Sequence, residues 1–176
     1  MSIEPHSLRV RPLRQDDDAG AFRCGHPELD RWLAEFAWAS QRRRTAATQV
    51  LVPAPGTGAD ATVLGYYSLA STAIVTDDLP RRLGRGQPAV LPAFLLARLA
   101  IDRSLRGQGV GGALLAHAVA TADRAGGLVA ARLLVVDAID DAAAAFYTHH
   151  GFTALAQDRS RSEEHTSELQ SQPTIS

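Results

Sequence analysis

The sequence predicts an α/β domain: a mixed, mostly antiparallel sheet with flanking helices. Three observations predict it. Three short strand segments, Leu8–Leu13, Thr48–Val52 and Val63–Ala70, come first, the last two joined by a Pro- and Gly-rich hairpin loop. A strand, glycine loop, helix, strand, helix succession then runs from Phe94 to Gly151. Finally, 45% of the 176 residues are apolar, so one domain can bury a core without disulfide or metal staples.

Each element has its own warrant. Leu8-Arg-Val-Arg-Pro-Leu13 alternates and predicts a first strand, with Asp16-Asp17-Asp18 as the turn beyond it. Phe22 to Gly25 reads as a break. From Pro27 to Trp38, apolar residues at 29, 32, 33, 36 and 37 have helical spacing. Thr48–Val52 and Val63–Ala70 predict two strands, joined through the Pro- and Gly-rich stretch Pro53 to Asp60. Asp77 to Leu83 predicts a short helix and Gly84 to Pro92 a loop. Phe94–Ile101 is the central strand. Gly111–Arg124 is a helix with Leu114, Leu115, Ala118, Val119 and Ala122 inward, ended by Gly126-Gly127. Ala131–Val136 is another buried strand. Asp140 or Asp141 caps a helix Ala142–His150, with Gly151 just past its end.

Residues 161–176 differ from all this. They lack apolar periodicity and shift abruptly in composition. They also match a reading-frame translation of a sequencing-library adapter. The expectation is a native domain over 1–160 and a non-native tail over 161–176, with the final strand lost and a sheet edge left unpaired.

Composition excludes several function classes. No run approaches the ~20 apolar residues of a membrane span, and Met1 to His6 has no signal-peptide core. A single cysteine, Cys24, rules out an internal disulfide framework and fits a cytoplasmic location. No Cys/His cluster has zinc spacing, so no metal is expected. The chain contains no lysine; without the tail it has 17 Arg against 16 acidic residues, too balanced for a nucleic-acid signature except as local patches.

The chemistry concentrates at Arg106-Gly107-Gln108-Gly109-Val110-Gly111-Gly112. Glycines let backbone N–H groups approach a ligand, and the following helix adds the positive end of its dipole. Such a loop suits a pyrophosphate. A P-loop needs a lysine and is excluded. A dinucleotide fingerprint matches at Gly107, Gly109 and Gly112. However, a charged segment, Asp102 to Arg106, separates it from its strand. The third pattern, Arg/Gln-x-x-Gly-x-Gly/Ala at Arg106, Gly109 and Gly111, resembles the acyl-CoA loop of the GNAT N-acetyltransferases. The resemblance to the GNAT fold covers residues 8–155.

Four further motifs narrow it. These are Phe22-x-Cys24-Gly25-x-Pro27-Glu28-Leu29-Asp30-x-Trp32-Leu33, Gly65-Tyr66-Tyr67-x-Leu69-Ala70, Leu95 to Asp102, and Ala145-Phe146-Tyr147. In this order they resemble the acetyltransferase toxins of bacterial type II toxin–antitoxin pairs. That resemblance implies transfer of acetyl from acetyl-CoA to the α-amino group of aminoacyl-tRNA, blocking translation. It also implies a ribbon-helix-helix antitoxin as partner; a homodimer is a further expected assembly. Backbone groups at Leu99, Ala100 and Ile101 would hold the acetyl carbonyl and pantetheine arm, and residues 106–112 the pyrophosphate, with Arg106 adding charge. Tyr147 would be the general acid. Its phenol, ordinarily titrating near ~10, stays protonated at neutral pH and can protonate a leaving thiolate. The family usually has histidine where this chain has Asp137, so that position's role is left open.

Arg98, Arg42, Arg43 and Arg82 are the candidate tRNA contacts. Arg98 stands out because it interrupts an apolar strand, out of phase with Leu95, Ala97, Leu99 and Ile101. Trp32, Phe36, Trp38 and Tyr66 read as core or dimer contacts. No Glu lies on Phe94–Ile101 to act as a base, which favours an α-amine acceptor (~7.7–8.0) over a lysine amine (~10.4). Two alternatives stay open: acetylation of a small amine, and acyl-CoA binding without catalysis.

Overall fold

A computed structural model of the chain describes residues 7–56 and 58–155, together with the backbone of 167–171. Two compact units emerge. One holds the residues up to Ala70 and Arg98–Ala118; the other holds Ser71–Ala97 and the residues from Val119 onward.

The first unit begins with β1 (Leu8–Pro12), antiparallel to β2 (Ala47–Pro53), with Val10 opposite Leu51. β2 continues antiparallel onto β3 (Gly65–Val75), where Val50 faces Tyr66. Two helices intervene, α1 (Pro27–Glu35) and α2 (Ala37–Arg42). The single helix expected to Trp38 is thus divided at Phe36, whose φ of −119° opens the backbone. Leu29, Leu33, Ala37, Val50, Val52, Val63 and Tyr66 form the core of this unit with Phe22 and Leu13. By area bookkeeping each fully buried large apolar side chain contributes about 1.5–3 kcal/mol.

In the second unit the residues predicted as one helix, Asp77 to Leu83, form a 3-10 turn, Thr76–Asp78, and α3 (Arg81–Gly84). Leu79 precedes Pro80 and is forced extended, at φ −87° and ψ 149°. β4 (Val90–Ile101) starts earlier than expected, and its parallel register with β5 (Leu133–Ala138) runs from Ala93 to Leu96. Ile74, Leu79, Ala93, Leu133 and Val135 make the core here.

α4 (Val110–Val129) corrects the sequence reading at its end: the helix runs through Gly126-Gly127. Gly126 is there because a Cβ would collide with the carbonyl of Ala131, so the glycine permits close return of the chain. The helix stops instead at Ala130, with φ +56°. α5 (Asp141–His149) starts as expected: Asp140 accepts from the Ala143 N–H at 2.7 Å, and Gly151 follows at φ +91°.

Among the described residues β5 is not left at the edge of the sheet. β7 (Ser167–Ser171) pairs antiparallel with β5 and with β6 (Thr153–Ala154), Leu169 opposite Val136. A sheet edge recruits a strand through main-chain N–H and C=O groups, which even a polar segment supplies. The remainder of the expected tail, 161–166 and 172–176, lies outside the described residues.

Candidate functional site

Asp102 follows β4 and caps the 3-10 turn Arg103–Leu105 at the entrance to the glycine loop. Its carboxylate accepts from the Ser104 N–H at 3.0 Å, the Ser104 hydroxyl at 2.8 Å and the Arg23 N–H at 2.9 Å. Burial disfavours its charge, but these donors outweigh that and hold it below the usual carboxylate range. Leu105 is buried and anchors the turn.

Gly107 and Gly109 follow, at φ +72° and +74°, with no atom within 4 Å of where a Cβ would stand. α4 then opens at Val110, and the first intrahelical bond runs from the Ala113 N–H to Gly109 at 3.1 Å. The N–H groups of Val110, Gly111 and Gly112 belong to the first turn, which has no acceptor within its own helix. Left-handed glycines, open space and a helix N-terminus fit a pyrophosphate cradle. Leu99, Ala100 and Ile101 lie beyond the point where the β4–β5 register stops, at Leu96. Gln108 donates to the Ser104 carbonyl at 3.0 Å and shapes the loop from within.

Arg106 has a partner within the chain that the sequence did not reveal. Its guanidinium donates to the carbonyl of Cys24 and lies against Gly25. It ties the loop to the Phe22–Gly25 segment. Gly25 sits at φ +97°, and a Cβ there would strike the guanidinium. The Cys-Gly pair was visible in the sequence, but its partner was not. Cys24 itself is buried, and burial, with Asp30 nearby, pushes its thiol up to about 11.

Arg98 shares the strand phase of Leu96 and Ala100, both buried. Its guanidinium lies over the Trp32 indole, 4.1 Å from the ring centroid. Trp32 in turn stacks on Tyr66, 5.9 Å away with planes at 16°, and the Tyr66 hydroxyl donates to Leu29 at 2.9 Å. Burial lowers the pKa of Arg98, opposed by Tyr66. Among the described residues no carboxylate pairs with Arg98. Trp32 was read as a core or dimer residue; it packs on the core and also carries this cation. Tyr67, on the same strand as Tyr66, meets His117 Nδ1 at 2.9 Å and joins α4 to β3, a pair the sequence did not reveal.

Arg42 and Arg43 are exposed at the end of α2, beside Ala39 around a recess of about 350 Å³. In the second unit, Arg82 is exposed on α3 and borders a cavity of about 600 Å³ with Arg132, Phe94 and Leu133; Tyr147 is not among its lining residues.

Tyr147 lies on α5 and is only 6% exposed. Its ring is held by Phe146 at 5.3 Å and Phe152 at 5.4 Å. Burial alone raises its phenol pKa well above the ordinary value, so the group is a proton donor at neutral pH. Asp137, half-buried at the end of β5, is likewise raised by burial alone.

Known proteins place this arrangement. Residues 61–154 match the model of the acetyltransferase (GNAT) domain. A tRNA-acetylating toxin of Mycobacterium tuberculosis is 35% identical over 148 residues, covering 84% of this chain and 86% of the toxin. The structure of AtaT complexed with acetyl-methionyl-tRNAfMet superposes with a TM-score of 0.82 at 30% identity, over 94% of each chain. A tyrosine-to-phenylalanine variant of AtaT bound to acetyl-CoA and the C-terminus of its antitoxin AtaR gives 0.77 at 28% identity, over 94% of this chain and 93% of AtaT.

Proposed function

Because the chain belongs to the GNAT acetyltransferases, within their toxin branch, we propose that it acetylates the α-amino group of aminoacyl-tRNA from acetyl-CoA and thereby arrests translation. The observation that carries the acceptor is the 35% identity, across most of both chains, to a tRNA-acetylating toxin.

The thioester supplies the acetyl group. Backbone groups of Leu99, Ala100 and Ile101 orient its carbonyl and pantetheine arm. Gly107 to Gly112 take the pyrophosphate on the open N–H groups of the loop and the start of α4. Arg106 serves that task indirectly, by fixing the loop to Cys24. The acceptor amine needs no strong base, since an α-amine near ~7.7–8.0 is already about one-tenth neutral at pH 7. Tyr147 delivers a proton to the sulfur as the C–S bond breaks. Arg98, Arg42, Arg43 and Arg82 contact tRNA phosphates.

The native domain spans 1–160, with 161–176 as a foreign tail. The protein acts in the cytoplasm and pairs with a ribbon-helix-helix antitoxin. Among the described residues no helix is long and apolar enough to cross a membrane.

The test is incubation with labelled acetyl-CoA and bulk charged tRNA, beside Tyr147→Phe and a panel of small amines. Alkali-labile label in the tRNA fraction, lost in the variant, is the expected result. Label on a small amine would overturn the acceptor, and acetyl-CoA binding without transfer would overturn catalysis.

A further inference from the structure

Arg98 and Trp32 together carry more than the family resemblance assigns. A guanidinium that interrupts an apolar strand must be fixed somehow. A carboxylate would do so, but would neutralise the charge and occupy the N–H donors. Here an aromatic face does it: the Arg98 guanidinium lies 4.1 Å from the Trp32 centroid. A ring holds a cation through its quadrupole and leaves the N–H groups and the net charge available to a ligand. The ring is itself held by packing. It stacks on Tyr66, whose hydroxyl is bonded to the Leu29 carbonyl on α1 and whose other neighbour, Phe22, meets it edge-on at 5.7 Å. The arginine is therefore ordered before any ligand arrives, which spares the loss of rotamer freedom on binding.

We infer that Trp32 is a positioning residue for the acceptor: it presents Arg98 to a phosphodiester of the nucleic acid and so selects an amine borne on a polynucleotide over the same amine without one. This rests on the reading of Arg98 as a tRNA contact. Trp32 touches neither the acetyl donor nor the reacting atoms in this role. Its contribution belongs to acceptor KM rather than to kcat.

The experiment is steady-state kinetics on the full chain with charged tRNA and, separately, an amino-acid methyl ester, for Trp32→Leu, Trp32→Phe, Arg98→Ala and the double variant Trp32→Leu/Arg98→Ala. Trp32→Leu is expected to raise the KM for charged tRNA on the order of tenfold, the scale of a partly desolvated cation–π contact. The KM for acetyl-CoA, the kcat, and the rate on the methyl ester stay unchanged, which also certifies folding. Trp32→Phe retains a ring and recovers most of the loss. In the Arg98→Ala background, Trp32→Leu adds nothing. Independent, multiplying effects of the two substitutions would overturn the inference, as would a matching rise in the acetyl-CoA KM in both Trp32 variants. Unaltered tRNA KM in Arg98→Ala would instead remove the reading of Arg98 beneath it.

Discussion

The two units differ in how their titratable side chains are partnered. In the first, four buried or part-buried polar side chains are partnered: Arg11 with Asp17 at 2.8 Å, Thr48 with Ser68 at 3.3 Å, Tyr66 with Leu29, Tyr67 with His117; Trp38 Nε1 and Arg9 Nε are buried there without a partner. In the second, Tyr147 and Asp137 are raised in pKa by burial alone. A paired polar group stabilises a fold, whereas an unpaired buried titratable one costs stability. Arg98, in the first unit, is instructive. It stands in a strand as Arg11 does, yet it rests on a ring instead of a carboxylate.

The strongest way to break this contrast is Tyr147→Phe. The ring stays, so the melting temperature should not fall, while kcat drops about 10²–10⁴-fold, the usual loss of a general acid. Kinetics and thermal unfolding on one preparation decide it; a destabilised variant with near-normal kcat would make Tyr147 a packing residue. Asp17→Asn should do the reverse. It strands the buried Arg11 cation, costing about 3–5 kcal/mol and lowering the melting temperature by roughly 6–20 °C. A shift of only a degree or two would show that the pair is not structural.

Gly25→Ala comes next. Its φ of +97° and the collision with Arg106 act together, so a loss of about 1–2 kcal/mol and a severalfold rise in acetyl-CoA KM are expected. An unchanged KM would separate the Cys24–Arg106 tie from the loop. The smallest effect belongs to Asp137→Asn. The folded-state pKa of Asp137 is raised, so above the ordinary aspartate range the folded chain binds more protons and stability falls as pH rises. The asparagine variant should therefore be the more stable one near neutrality, with the difference closing towards pH 4. Melting curves across pH check this, and a variant less stable at pH 7 would show that the carboxylate has a partner.

The strand and helix periods, the glycine loop and the Asp140 cap were legible in the sequence because each is a local constraint: residue spacing, backbone freedom, one side chain reaching three residues on. The family was legible through four motifs in order, which also pointed to Tyr147 and Arg98. Local rules failed at Gly126-Gly127. A glycine that ends a helix and one that admits a neighbouring carbonyl look identical in sequence, and only the path of the chain to Ala131 separates them.

What the sequence determined by itself, then, was which residue types stand in which element, and hence the fold class and the reaction. What the tertiary structure decided was which donor meets which acceptor. Arg106 is 82 residues from Cys24, and Tyr67 is 50 from His117. Packing, not periodicity, selects such partners. That is why the tie of Arg106 to Cys24, like the ring beneath Arg98, came into view only once the chain was folded.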